Sequence, residues 1–321
     1  IRSIIIDFWY VFAEEGVRKN IRGLQFHVDT GEIPPICVRA PRYGPHETRV
    51  INDLVEKLEA NGIVEDDDGP WGAPIVLAAK ANQEHLPWSQ YTWRLCVSYR
   101  KLNAVTRPFT FPIIRCDDAV KEIGDASCFI TMDLDSGYWQ VACEPSSKTK
   151  LAFFTPTGKK RFTTMPMGAT NAHPVFVALV AKFKKEWDTK AKSLRLKGFY
   201  SQVIVDDIII SARDNNTLIS YFKCILEVLQ HYRCTAKLKK CRFLPAVAEF
   251  VGLDIHPTGN SPAKSKFEAF KKLGPPKTFT DLNMLIGCFG FYQEHLPLYE
   301  VRIKRWRAIQ KLRPPPGMPK R

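Results

Sequence analysis

The stretch at residues 202–210 (QVIVDDIII) places two acids, Asp206 and Asp207, between two runs of valine and isoleucine. Runs this rich in β-branched residues predict strands buried on both faces, and a two-residue break between them predicts a tight hairpin. We therefore expect both acids at the hairpin tip. Burying adjacent carboxylates is costly unless a cation or a hydrogen-bond network neutralises them, and the pair favours a divalent metal site.

Aspartate is also a favoured turn residue, so the pair alone is compatible with a solvated loop tip. A second apolar run at residues 129–135 (FITMDLD) carries Asp133 and favours the metal site. An acid on a neighbouring strand beside an acid pair on a hairpin is an arrangement that holds two divalent cations against a triphosphate. Asp133, Asp206 and Asp207 are therefore the predicted catalytic triad.

The chain is long and strongly basic. It has 321 residues, of which 45% are hydrophobic, and this predicts a sizeable core in two or three subdomains. Lys and Arg number 47 against 33 acids, and the resulting charge of +14 favours a polyanionic partner over an acidic metabolite.

The cysteine spacing and the hydropathy of the chain predict the cellular compartment of the protein. Nine cysteines without CxxC spacing predict reduced thiols inside a cell rather than a disulfide frame or a zinc site. No run of 18 apolar residues occurs, so we expect a soluble protein that does not contact a membrane.

Several other segments have interpretable patterns. Apolar spacing predicts helices at residues 47–60 and 171–187 and a third helix opened by Asp214. Residues 1–40 resemble an extended, loosely organised lead-in. The acidic run at residues 66–68 is expected to be a solvated turn, because three like charges repel one another and stay wet.

Basic residues mark two predicted hairpins. In the first, Lys80 ends one strand and Arg94 begins the next, and the two cations could grip phosphates, although basic strand ends are common. The second hairpin spans residues 148–162 and has a basic tip at residues 159–161. Further basic residues lie at 301–321, where eight Lys or Arg and no acid predict a helix that frays into a basic arm.

Five ordered motifs resemble the reverse transcriptase domain of gypsy-type (Metaviridae) long-terminal-repeat retrotransposons, over about His27 to Tyr299. They are residues 69–76 (GPWGAPIV), 93–103 (WRLCVSYRKLN), 132–138 (MDLDSGY), 165–172 (MPMGATNA) and 205–207 (VDD). Each motif alone would be weak evidence, whereas five in this order are highly specific.

The resemblance implies an α+β fold, the right-hand polymerase, whose antiparallel palm sheet is backed by helices. The implied divisions are an N-terminal lead-in (1–40), fingers (41–107 and 141–171), palm (108–140 and 172–257), thumb (258–300) and a basic C-terminal tail (301–321).

The resemblance also implies a reaction, in which deoxynucleotides are added to a primer 3′-hydroxyl on an RNA template. Asp133, Asp206 and Asp207, with Leu134 among the metal-binding residues, would hold two Mg²⁺ ions, or Mn²⁺ in their place. One ion lowers the pKa of the primer hydroxyl and the other supports the leaving pyrophosphate.

Other residues are assigned by the same resemblance. Tyr138 falls on the aromatic that lies under the incoming sugar, where a ring would clash with a 2′-hydroxyl. The implied nucleotide-binding residues are Lys80, Arg94, Asp135, Ser136, Gly137, Tyr138, Met167 and Gly168. The implied primer and template residues are Phe250, Val251 and Gly252. The implied partners are an RNA template, a DNA or RNA primer and dNTPs, within a larger polyprotein that works in cytoplasmic particles or the nucleus.

The chain departs from the family pattern without losing a metal ligand. Ser98 stands for Asp, Met167 for an aromatic, His173 for Pro and Ile204 for Tyr, and residues 81–92 lengthen the fingertip hairpin. Two alternatives follow. The first is a catalytically silent nucleic-acid-binding or assembly protein that keeps the fold. The second is an RNA-directed RNA polymerase, against which Tyr138 argues.

Overall fold

The structure is a computed structural model of the chain, and it describes residues 1–12, 20–80, 83, 86–123, 125–272 and 274–311. The chain divides into two compact units, Ile1–Pro245 and Ala246–Arg321. This division precedes the predicted palm–thumb boundary at 257/258, and the predicted subdomain limits remain predictions.

The helices of the described residues fall on both sides of that division. They are α1 (Arg2–Asp7), α2 (Pro45–Ala60), α3 (Arg100–Val105), α4 (Cys116–Lys121), α5 (Pro145–Lys148), α6 (Ala172–Ser193), α7 (Asn215–Tyr232), α8 (Lys264–Lys272), α9 (Phe279–Phe291) and α10 (Tyr299–Lys311).

The strands are mostly short and antiparallel. They are β1 (Gln25–Phe26), β2 (Val64–Asp66), β3 (Ala73–Ala79), β4 (Trp93–Val97), β5 (Cys128–Asp133), β6 (Ala142–Cys143), β7 (Ala152–Thr155), β8 (Gly158–Phe162), β9 (Phe199–Ile204), β10 (Asp207–Ala212), β11 (Arg242–Phe243), β12 (Ala248–Phe250), β13 (Leu253–His256) and β14 (Gly259–Pro262).

The first unit is built around a four-stranded antiparallel sheet of order β11-β5-β10-β9. The predicted burial is confirmed for β5 and β10, since Ile130 and Met132 of β5 and residues 208–210 of β10 are all at most 2% exposed. It is wrong for the first run, where Val203 and Ile204 of β9 are only partly buried. Helices α6 and α7 pack against each other and against this sheet. The predicted antiparallel sheet backed by helices is therefore present.

The three helices predicted from apolar spacing are all found. In α2, the N–H of Gly44 donates to Glu47 Oε2 at 2.8 Å, which satisfies one free donor at the helix start. Helix α7 begins after Asp214, whose side chain accepts from the Thr217 N–H. Helix α6 is longer than predicted and continues to Ser193.

The first unit also contains a five-stranded sheet of order β2-β8-β7-β3-β4. Strands β3 and β4 form the predicted hairpin, with Ala78 opposite Arg94. Strands β7 and β8 form the second predicted hairpin, and the acidic run enters the same sheet because β2 pairs with β8.

The expectation of a solvated acidic turn at residues 66–68 is wrong for Asp67. Its side chain is 0% exposed and pairs with Lys159 at 2.8 Å and with Arg161 at 3.4 Å. Asp66 is 86% exposed and pairs with Lys160 at 2.9 Å. The long-range pairing of β2 with β8 sets acids against cations, and this outweighs the local repulsion between neighbouring acids.

These two neighbouring acids should differ sharply when mutated. Asp67→Ala is expected to lower the free energy of unfolding by about 3 kcal/mol, because it leaves mostly buried cations without their counter-ion. Asp66→Ala, the matched control, should cost at most about 1 kcal/mol, as exposed ion pairs do. Urea unfolding of both variants measures the difference. Equal costs would contradict the assigned burial of Asp67.

The N-terminal segment is better organised than the expected loose lead-in. Helix α1 buries Ile4, a 3₁₀ turn follows at Trp9–Phe12, and the N–H of Ala236 donates to the carbonyl of Val11 at 2.7 Å. Strand β1 pairs in parallel with β6. Apolar side chains in this segment therefore pack on the core despite the weak periodicity of the sequence.

The second unit combines the antiparallel sheet β12-β13-β14 with helices α8, α9 and α10. Helix α9 begins with a capping box between Thr278 and Asp281. Helix α10 accounts for the predicted helical start of the basic tail, and residues 312–321 lie outside the described residues. Within the part of the chain that the structure describes, no helix has the length and apolarity to span a membrane.

Candidate active site

The hairpin between β9 and β10 carries the acid pair, but its turn is displaced by one residue from the prediction. Ile204 pairs with Asp207, so the two turn residues are Val205 and Asp206, and Asp207 is the first residue of β10. Val205 has a φ of +57°. A β-branched residue in the left-handed region is rare and strained, and such strain concentrates at functional sites.

The strand register brings the three predicted carboxylates together. Asp207 lies directly opposite Asp133 in the β5–β10 pair, and the N–H of Leu134 donates to the carbonyl of Asp206 at 3.0 Å. Directly opposed residues lie about 4.5–5.5 Å apart at Cα and point to the same face. The register therefore places Asp133 and Asp207 side by side at one end of the sheet, with Asp206 in the adjoining turn.

The surroundings of Asp206 perturb its carboxyl. Burial raises the pKa of its carboxyl to about 6, and the neighbouring charges of Asp133 and Asp207 act in the same direction. Lys240 opposes this effect. Among the described residues, Asp206 Oδ1 is buried without a hydrogen-bond partner. A buried, unsatisfied carboxylate oxygen is costly unless a cation or a proton reaches it.

Lys240 provides a positive charge at the site. Its Nζ donates to Asp133 Oδ1 at 2.9 Å and to Oδ2 at 2.8 Å, and the hydrogen bond to Asp133 raises the pKa of the lysine. The backbone N–H of Lys237 also donates to the Asp133 carbonyl at 2.8 Å. The basic cluster at residues 237–240 was the available sequence signal for this contact, but spacing alone did not connect it to Asp133.

The donor set fits divalent cations. Asp133, Asp206 and Asp207 supply hard carboxylate oxygens, which Mg²⁺ prefers, and Asp206 Oδ1 has no hydrogen-bond partner among the described residues. Within the described residues, no group of three or more His, Cys, Asp or Glu side chains is arranged to hold a metal ion in this structure. In this structure Lys240 neutralises Asp133, so cation binding would exchange that ammonium for a metal ion.

The turn after β5 leaves room for the Asp206 carboxylate. Ser136 has a φ of +52°, and Gly137 begins a 3₁₀ turn. A Cβ at Gly137 would lie 2.4 Å from Asp206 Oδ1 and 2.4 Å from Phe176 Cζ. Only glycine fits this position, and spacing along the chain does not reveal that constraint.

Asp135 has a structural role at the same turn. Its side chain is buried, its N–H donates to the Thr235 carbonyl at 3.0 Å, and Gln140 Nε2 donates to its carbonyl at 2.8 Å. The Ser136 hydroxyl donates to Asp135 Oδ1 at 3.3 Å. These contacts hold the backbone that carries Gly137 and Tyr138.

Tyr138 lies beside the acids and against α6. Its ring packs on Phe176 with centroids 5.1 Å apart, and its hydroxyl lies 3.2 Å from His173 Nδ1. Burial and the nearby Asp206 carboxylate raise the pKa of the Tyr138 hydroxyl. The ring therefore stands between the acid triad and the first turn of α6.

Gly168 adopts a conformation that favours glycine, with a φ of +92°. Asn103 clamps this turn from both sides: its Nδ2 donates to the Gly168 carbonyl at 2.9 Å, and its Oδ1 accepts from the Thr170 N–H at 3.0 Å. Met167 is 57% exposed beside it. Asn103 was not predicted as a site residue, although it ends the second sequence motif.

Lys80 and Arg94 lie at the end of the β3–β4 hairpin where the connecting loop begins and ends, and both side chains are exposed. The buried side chain of Gln83 closes this end, donating to the carbonyls of Lys80 and Thr92 at 2.8 and 3.1 Å. The hairpin belongs to the five-stranded sheet, whereas the acid triad belongs to the four-stranded sheet.

The predicted primer and template residues lie in the second unit. Val251 and Gly252 form the two-residue turn between β12 and β13, with φ values of +46° and +84°. Phe250 is buried. The hydroxyl of Tyr292 donates to the Gly252 carbonyl at 3.1 Å and fixes the turn against the end of α9.

Residues 80–255 match the family model described as reverse transcriptase (RNA-dependent DNA polymerase), which is more than half of the chain. The chain belongs to the reverse transcriptase family. The matched range contains all three acids and the Gly168 turn. The predicted resemblance is therefore confirmed.

The curated relatives are transposon polyproteins. The chain is 26% identical over 287 residues to the Retrovirus-related Pol polyprotein from transposon opus of Drosophila melanogaster, covering 89% of the chain and 27% of that protein. It is 23% identical over 299 residues to the Transposon Tf2-3 polyprotein of Schizosaccharomyces pombe, covering 92% and 21%. This reverse transcriptase chain thus spans about a quarter of each relative's length.

Solved reverse transcriptase structures share the fold. The foamy viral protease-reverse transcriptase in complex with dsDNA superposes with a TM-score of 0.82 at 19% identity, over 97% of this chain and 62% of that chain. The same viral protein in complex with RNA/DNA hybrid gives a TM-score of 0.80 at 19% identity, over 96% and 39%. The predicted right-hand polymerase fold is confirmed.

Proposed function

We propose that this chain is the polymerase segment of a retrotransposon Pol polyprotein and that it copies RNA into DNA. The observation that carries the proposal is the strand register, which sets Asp207 opposite Asp133 with Asp206 in the adjoining turn. Membership of the reverse transcriptase family supports a role for these acids in nucleotide transfer to a primer. The two transposon relatives are polyproteins, which supports the proposal that this chain is one segment of a polyprotein.

Asp133, Asp206 and Asp207 would hold two Mg²⁺ ions, or Mn²⁺ in their place. When bound, such ions activate the primer 3′-hydroxyl and neutralise the leaving pyrophosphate. The chain's own contribution is to fix the carboxylates. Strand pairing holds Asp133 and Asp207, and the Leu134 N–H holds the backbone of Asp206.

The remaining residues would bind substrates. Tyr138 would lie under the sugar of the incoming dNTP, and the Gly168 turn would line its pocket. Lys80 and Arg94 are exposed cations on neighbouring strands, suited to phosphate oxygens. The Phe250–Gly252 turn would support the primer end.

Primer extension on an RNA template tests the proposal. The chain should incorporate dNTPs in the presence of Mg²⁺, and Asp133→Asn should lower the rate by about 10³-fold, because one positioned charge at a transition state is worth about that much. Asp125→Asn is the matched control. Asp125 pairs with Arg213 near the other end of the same sheet and is 62% exposed, so its variant should retain the parental rate.

If the chain is instead a catalytically silent nucleic-acid-binding protein, it should bind a template and incorporate no nucleotides. This alternative is favoured by the Lys240–Asp133 ion pair, which engages one of the three carboxylates. Salt-sensitive template binding without incorporation would support it, because phosphate contacts survive the loss of chemistry. Ribonucleotide incorporation equal to that of dNTPs would instead favour an RNA-directed RNA polymerase.

A further inference from the structure

His173 stands where the sequence motif of the family has proline. It is the second residue of α6 and is followed by Pro174. Proline suits the first turn of a helix because the missing N–H would have no intrahelical partner there. A histidine at this position gains nothing for the helix start, but it offers a side-chain nitrogen that proline lacks.

That nitrogen reaches the hydroxyl of Tyr138. The distance from His173 Nδ1 to the Tyr138 hydroxyl is 3.2 Å, and the ring of Tyr138 packs on Phe176. His173 and Phe176 are three residues apart and share one face of α6. One helix face therefore supplies both a wall and a polar anchor for the same aromatic ring.

The other side of this ring is constrained by the turn that carries it. Tyr138 lies in the 3₁₀ turn Gly137–Gln140. Two hydrogen bonds hold the backbone of this turn: the Trp139 N–H donates to the Ser136 carbonyl at 2.8 Å, and the buried Gln140 side chain donates to the Asp135 carbonyl. With the backbone fixed, the remaining freedom of Tyr138 is rotation of its side chain. The contact with His173 restricts that rotation.

We propose that His173 is a positioning residue for sugar selection, which fixes the Tyr138 ring and so raises the preference of this chain for deoxynucleotides over ribonucleotides. The proposal rests on the proposed function, since it assigns to the chain a selectivity that only a polymerase has. It concerns a residue in which this chain departs from the family motif.

The test compares incorporation of one dNTP and the matching rNTP by the full chain on an RNA template. His173→Ala should lower the ratio of the two kcat/KM values by about 3–10-fold, the worth of one hydrogen bond. The change should come from a lower KM for the rNTP, with kcat for the dNTP near the parental value. His173→Gln, which keeps a polar side chain, should restore most of the ratio.

Tyr138→Phe completes a double-mutant cycle. It keeps the ring and removes only the hydroxyl, so it should lower the ratio as His173→Ala does, and the double variant should be no worse than either single variant. Additive losses would overturn the proposal. So would a ratio in His173→Ala equal to that of the parent.

NMR detects the contact between His173 and Tyr138 in the absence of catalysis. With tyrosine labelled by ¹³C at Cζ, the resonance missing in Tyr138→Phe identifies Tyr138. It should move in His173→Ala and stay close to its parental position in His173→Gln. An unmoved resonance in His173→Ala would overturn the positioning role.

A parent chain that extends no primer would remove the proposed function and this proposal together, whereas extension with unchanged selectivity in His173→Ala removes this proposal alone.

Discussion

Asp206→Asn is expected to abolish primer extension while leaving the fold intact. The carboxylate has a buried oxygen without a hydrogen-bond partner among the described residues, beside Asp133 and Asp207. Removing its charge should lower the rate of dNTP incorporation by about 10³-fold or more, because a single preorganised charge is typically worth about 10²–10³-fold. Steady-state extension of a primer on an RNA template measures the loss.

The same substitution should stabilise the metal-free protein at neutral pH. Folding raises the pKa of Asp206 from 3.8 to about 6, so the ionised carboxyl destabilises the folded chain. This cost is absent below the lower pKa, grows as the pH rises between the two values, and is complete above the higher one. After allowance for solvent screening, Asp206→Asn should raise the free energy of unfolding by about 1–2 kcal/mol near pH 7.5.

Urea unfolding in EDTA near pH 4 and near pH 7.5 separates this effect from a general one. The stabilisation should be present at the higher pH and absent at the lower one, where the parental carboxyl is already protonated. An Asp206→Asn variant that extends primers within tenfold of the parental rate would contradict the assigned mechanism. Equal stabilisation at both pH values would contradict the raised pKa.

Gly137→Ala is expected to lower both the stability and the activity of the chain. The added Cβ would lie 2.4 Å from both Asp206 Oδ1 and Phe176 Cζ, so the carboxylate or the ring must move. Overpacking of this kind costs about 1–3 kcal/mol, and displacing a catalytic group by about 1 Å can cost about 10²-fold in rate. Urea unfolding and primer extension measure the two consequences in one variant.

Gly158→Ala is the matched control. Gly158 begins β8 and its φ is not positive, and among the described residues no heavy atom lies within 4 Å of a Cβ built there. The control should change the free energy of unfolding by no more than about 0.5 kcal/mol and leave extension at the parental rate. Full activity in Gly137→Ala would show that the Asp206 carboxylate does not need the space beside Gly137.

The sequence was sufficient for the acid cluster because local and long-range signals agree there. An apolar run precedes Asp133, and runs of β-branched residues flank the Asp206–Asp207 pair, so strand formation alone carries the acids to strand ends. The turn was predicted one residue too late. Side-chain volume and charge do not reveal that Val205 takes a positive φ, since β-branched residues rarely adopt it.

The missed features all depend on contacts between distant segments. Lys240 reaches Asp133 across 107 positions, and Asp67 is buried by cations of β8 that lie about as far away in sequence. The Gly137 constraint depends on Asp206 and Phe176, which arrive from two other elements. Periodicity describes one element at a time, so such pairings become visible only when the sheets are assembled.

The ion pairs of β8 change how the net charge should be interpreted. Lys159, Lys160 and Arg161 look like a basic tract in the sequence, yet each is already matched to an acid of the same chain. Phosphate binding gains free energy by releasing counterions, and a cation that already has an internal carboxylate partner has few to release. For the proposed binding of a template, phosphate contacts are therefore expected from exposed cations elsewhere, such as Lys80 and Arg94.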